Sequence, residues 1–121
     1  SASAFNQPLS LNTSSVTDMA SMFRYSMFNQ PLSFDTSSVT TMQSMFSYAL
    51  AFNQPLSLDT SSVRNMARMF GAASTFNQPL SLNTASVMDM SFMLSASAFN
   101  QPLSFDTSRV TYMGDMFWSA S

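Results

Sequence analysis

The sequence predicts an α/β repeat solenoid of five 23–24-residue turns, each joining a short parallel strand to a short helical or 3-10 segment. Three observations predict it. The block Phe-Asn-Gln-Pro-Leu-Ser begins at Phe5, Phe28, Phe52, Phe76 and Phe99, so units recur after 23, 24, 24 and 23 residues. Within a unit the apolar spacing changes from two to three or four residues. A proline stands at the same place in every unit.

The strand is expected at Leu32-Ser33-Phe34, where two apolar side chains flank an exposed serine, the alternation of a half-buried strand. Pro8, Pro31, Pro55, Pro79 and Pro102 cannot donate to a ladder, so they confine strand pairing to the residues that follow them. Asp35-Thr36 reads as an Asx turn. Val39, Met42, Met45, Phe46 and Ala49 then recur at helical spacing, behind Ser37 and Ser38 as capping hydroxyls. Ser, Thr and Tyr are modest helix formers, so two or three turns, partly 3-10, are expected. One unit cannot bury its own apolar residues, but stacked units can, strand upon strand. At about 4.8 Å per parallel step, five units span roughly 24 Å.

Composition removes most chemistry. The 121 residues are 45% hydrophobic and 8% charged, with four Arg against six Asp and no Lys, Glu, His, Cys or Ile. Without Cys or His there are no disulfides, zinc fingers, thiol nucleophiles or histidine bases. A net charge of −2 argues against a nucleic-acid partner. The longest apolar run, Tyr48 to Phe52, is far short of the roughly 20 residues that span a bilayer. No basic-then-apolar leader opens the sequence, so any signal peptide is expected outside this segment. No cofactor is implied, and no base, paired nucleophile, metal cluster or phosphate loop suggests an enzyme.

The run from Phe-Asn-Gln-Pro-Leu-Ser through Asp-Thr-Ser-Ser-Val to Met-Phe resembles the repeat of unknown function abundant in Mycoplasma surface lipoproteins, a relative of BspA-like leucine-rich repeats. The resemblance covers all five units. It implies a right-handed leucine-rich-repeat-like coil, with Leu32-Ser33-Phe34 as the strand and Val39 to Phe46 as the return segment. It also implies a surface location and a role in interaction or scaffolding, with no catalytic activity. Typical members carry Asn-Trp-Asp after Pro-Leu-Ser; here a single Phe or Leu precedes the Asp or Asn, as in Phe34-Asp35. The lipid-bearing Cys of those proteins is absent, so a lipid anchor does not carry over.

In a repeat stack the informative unit is the column, one slot read from unit to unit. The Phe and Leu columns are core. Asn6, Asn29, Asn53, Asn77 and Asn100, with the Gln that follows each, are expected to form amide ladders. Met-x-x-Met pairs such as Met42/Met45 suit Cu(I), but they share a face with Val39 and Phe46 and read as core filling. Asn12, Asp35, Asp59, Asn83 and Asp106 share a slot that needs an Asx side chain more than a charge; a Ca²⁺ between turns is the alternative. Thr13, Thr36, Thr60, Thr84 and Thr107 read as caps on a solvated face, with glycan or ice binding as the functional counterpart.

Variable columns mark the expected partner surface. The outer face of the helical segments would carry Arg64, Arg68, Met88, Phe92 and Tyr112, with Arg64 and Arg68 as a small basic spot. Asn12-Thr13-Ser14 is the one N-glycosylation sequon, at Asn12. Both ends of residues 1–121 lack polar caps and sit at nearly one phase of the repeat, so a single uncapped array is expected. The leading expectation is an extracellular or cell-surface structural protein whose copies stack head-to-tail into a fibre or long array. An adhesin-type module that holds protein or glycan on the variable face is the alternative. An ice- or glycan-binding Thr/Ser face is the third reading.

Overall fold

The computed structural model describes residues 13–120. Five units stack in register, but not as strands and helices. Among the described residues there is no helix, and the only β pairing is a column of isolated parallel bridges: Asp18 to Thr41, Thr41 to Asn65, Asn65 to Asp89 and Asp89 to Tyr112. The expected α/β, leucine-rich-repeat-like architecture is therefore corrected on both of its elements.

The supposed helix is a chain of tight turns. Met45 N–H donates to the Met42 carbonyl (3.1 Å), Ser47 N–H to Ser44 (3.1 Å) and Ala49 N–H to Phe46 (3.0 Å). The intervening amides leave the unit altogether: those of Met42, Ser44, Phe46 and Tyr48 donate to the carbonyls of Asn65, Ala67, Met69 and Gly71 at 2.8–2.9 Å. Half of the segment's donors thus tie one unit to the next, where a helix would keep them all inside. Ser44 (φ 57°) and Tyr48 (φ 56°) lie in the left-handed region, each at the third position of a turn, as type II geometry requires. Such a residue every fourth position forbids a helix. It nevertheless preserves the three- and four-residue burial period, because each turn closes over three residues.

The supposed strand is extended but unpaired by backbone. Leu32 and Phe34 are buried and Ser33 is exposed, so the alternation holds. The ladder lies instead at Asp18, Thr41, Asn65, Asp89 and Tyr112. Ring spacing differs between the two sides. Phe23, Phe46 and Phe70, beside the bridged segment, repeat at 5.5 Å, whereas the Phe28, Phe52, Phe76 and Phe99 rings, beside the prolines, repeat at 5.9–6.5 Å.

Side chains join the units on that side. Asn53 N–H donates to Asn29 Oδ1 (2.9 Å), and Gln54 Nε2 reaches the Asn29 carbonyl and Oδ1 (3.2 Å each); Asn77 and Asn100 repeat the pattern. The amide ladder is present as expected, with the backbone of the following unit as donor. The threonines are a correction. Thr13, Thr36, Thr60 and Thr84 are buried, and their hydroxyls donate to the carbonyls of Asp35, Asp59, Asn83 and Asp106 at 2.8–3.0 Å. They are rungs between units, neither helix caps nor a solvated face.

The core is a zigzag of phenyl rings. Phe46 stacks at 4.3 Å on Phe52, the first residue of the next unit, and at 5.5 Å on Phe23 and Phe70, its counterparts in the units before and after. Met42, Met45, Met66, Met69, Met90 and Met93 fill the space beside them and are fully buried, so those Met-x-x-Met pairs are core. Leu94 replaces phenylalanine in the fourth unit and interrupts one ring column.

Candidate functional site

The turn segments that replace the helices also build a groove. Its volume is about 290 Å³ and it runs across the units on the outer side of the stack. The floor comes from the slot after the core phenylalanine, where Ser47, Gly71 and Ser95 are small. Ala72 and Ala96, both left-handed, continue it. At one end stand Arg24, Tyr25 and Tyr48; at the other stand Phe92 and Trp118. Arg68 joins the edge between them.

The backbone explains why large side chains stand up here. Tyr25, Tyr48, Arg68 and Phe92 have φ between 55° and 59°, and a left-handed residue at the corner of a turn directs its side chain away from the packed coil. The Tyr25 and Tyr48 rings stack at 5.0 Å, and both are about half exposed. The Arg24 guanidinium lies 4.8 Å from the Tyr25 ring centroid, with Nη2 donating to Tyr25 Oη at 3.2 Å. Arg68 lies 5.1 Å from the Phe92 ring. Arg24 Nε is buried without a hydrogen-bond partner, an unspent donor beside the groove. No carboxylate lines the groove.

The expected partner surface divides. Arg68 and Phe92 enter the groove, but Arg64, Met88 and Tyr112 do not. Arg64 and Met88 share a slot two residues before the Met-x-x-Met run, joined by Met88 N–H to the Arg64 carbonyl (2.8 Å). Tyr112 occupies the bridge column. Arg64 and Arg68 are both exposed, and only Arg68 lines the groove. Asn12 lies outside the described residues. Sequence reasoning missed Arg24, Tyr25, Tyr48 and Trp118. The available signal was the slot after the core phenylalanine, which changes from Arg24 through Ser47, Gly71 and Ser95 to Trp118.

The acidic residues serve turns. Asp35 Oδ1 accepts from Ser37 N–H (3.0 Å) and Ser37 Oγ (2.6 Å), as the Asx reading expects, and Asp59 does the same with Ser61. The hydroxyl and then the backbone amide of Ser37, Ser61 and Ser108 hold Asp35, Asp59 and Asp106 below the usual carboxylate range. A second set of such turns occurs at the bridges, where Asp18, Asn65 and Asp89 accept from Ala20, Ala67 and Ser91. No group of three or more metal-ligating side chains occurs among the described residues.

The family model described as "Mycoplasma protein of unknown function, DUF285" matches residues 1–58 and again residues 57–121. The chain belongs to this family. No curated protein and no solved structure matches. The two DUF285 matches between them take in the whole chain, so the turn-built groove and the ladders arise within sequence the family model covers. No helix among the described residues is long and apolar enough to cross a membrane.

Proposed function

We propose that this DUF285 chain is a structural element of an extracellular or cell-surface array, and that it acts by stacking one unit on the next beyond the five present here. One observation carries the reading. In each of the first four units the amides of the turn segment donate to carbonyls of the following unit, so the same row of bonds is given by one unit and taken by the next at every described junction. The core column is closed by the same stacking: Met42, Phe46, Met66 and Phe70, each covered by units on both sides, are 0% exposed. A unit therefore offers the unit after it a spaced row of donors over an apolar face. A unit of this same repeat matches both.

Electron microscopy with sedimentation over a concentration series tests this. Filaments with an axial repeat near the roughly 24 Å of five parallel steps are expected. A single monomeric species at every concentration contradicts it. The adhesin alternative retains Arg68 and Phe92, which line the groove, whereas Arg64, Met88 and Tyr112 are outside its lining.

A further inference from the structure

We propose that the groove between Arg24 and Trp118 binds an acidic glycan, its aromatic side chains stacking on pyranose rings while Arg24 and Arg68 pair with uronate carboxylates.

Charge comes first. The chain carries a net −2, yet two of its four arginines line one groove that no carboxylate enters. Both guanidiniums lie over rings, at 4.8 and 5.1 Å, which fixes their planes and leaves edge donors for an anion. Arg24 Nε already lacks a partner. A carboxylate is the acceptor that a guanidinium meets with two parallel bonds. Arg24 belongs to the first unit and Arg68 to the third, at different slots of the repeat, so two parallel steps, roughly 10 Å, separate them along the stack. The cations thus recur along the groove, as charges do along a polymer.

The shape favours sugar over an acidic peptide. The floor of Ser47, Gly71, Ala72, Ser95 and Ala96 is small and offers no deep apolar pocket in which a peptide side chain could anchor. Exposed, rigid rings stand at both ends instead: the Tyr25–Tyr48 stack and Trp118, which is 61% exposed. An aromatic face takes the C–H face of a pyranose, and the ring's hydroxyls meet Ser47, Ser95 and water. A uronic acid combines that flat face with a carboxylate on one rigid ring.

Trp118 is the chain's single tryptophan, so its fluorescence reports occupancy directly. The experiment titrates the 121-residue chain, at one fixed dilute concentration, with an unesterified galacturonate oligosaccharide, its fully methyl-esterified form and poly-glutamate. A saturable change in emission is expected with the galacturonate. Methyl esterification and Arg68→Gln should each weaken binding by about tenfold, the value of a lost charge-assisted bond. Tyr48→Ala should also weaken it, and Arg109→Gln, outside the groove, should leave it unchanged. Unaltered thermal melts establish that the variants fold. No saturable change with galacturonate overturns the proposal, as does an equal response to poly-glutamate, which would make the groove a general polyanion or acidic-peptide site. Stacking is read from the concentration dependence of sedimentation, so either reading can fail alone.

Discussion

Thr36 Oγ1 donates to the carbonyl of Asp59, in the next unit, at 2.8 Å, from a position only 1% exposed. The same bond recurs from Thr13, Thr60 and Thr84. Where the described units have no backbone ladder, a threonine side chain joins them instead. Thr60→Val keeps the shape and removes the donor, leaving the Asn83 carbonyl without this partner. Denaturant unfolding should show a loss of about 1–3 kcal/mol. Ser33→Ala, at an exposed slot, should be within about 0.5 kcal/mol of the parent.

The left-handed columns make a second prediction. Ala72 has φ 55°, whereas Gly71 beside it takes an ordinary φ. The glycine stands one residue away from the position that would gain from it. Relief of left-handed strain outweighs the extra freedom of the unfolded chain, so Ala72→Gly should stabilise by up to about 1 kcal/mol. Ala72→Val should destabilise by more than about 1 kcal/mol, because a branched Cβ crowds that backbone further. A melting-temperature comparison of the two variants checks the order.

The ring zigzag predicts unequal tolerance within the core. Phe76 stacks on Phe52, Phe70 and Phe99, so Phe76→Ala should cost about 3–5 kcal/mol. Phe70→Leu copies what the fourth unit already has at Leu94 and should cost less than half as much. Equilibrium unfolding of both variants checks the difference.

These elements also show how much could be read from the sequence. The unit length, the core columns, the amide ladder and the Asx turn at Asp35 follow from residue identity and spacing. The helix over Val39 to Phe46 and the strand at Leu32 to Phe34 do not, for a physical reason. Consecutive turns bury every third or fourth residue as a helix does, and an extended segment alternates whether or not its backbone is paired. Ser44 and Tyr48 carry the decisive dihedrals, and neither residue type announces a left-handed corner as Gly or Asn would. The groove depended on those corners, so Arg68 and Phe92 were found while Arg24, Tyr25, Tyr48 and Trp118 were not.

The Asx turns predict a pH dependence. Asp35, Asp59 and Asp106 sit below their ordinary value of 3.8 in the folded chain because their serines bond the charged form. The unfolded chain therefore takes up protons first. Their stabilising contribution is complete above the unfolded value and is lost as pH falls through the folded ones. Melting temperature should be flat with respect to these groups from neutral pH to about 5, then drop below about 4. Asp59→Asn should reduce that drop while keeping the turn, since Asn83 Oδ1 already accepts from Ala85 N–H at 3.1 Å.

The central claim is that units of this repeat add to one another through the amides of their turn segments. Amide hydrogen exchange at Met113, Asp115, Phe117 and Ser119, followed against protein concentration, tests it most directly. The account predicts fast exchange in dilute solution, and protection approaching that of Met42, Ser44, Phe46 and Tyr48 as the chain is concentrated. Exchange at those four amides that stays fast at every concentration, while the inner units remain protected, would contradict it.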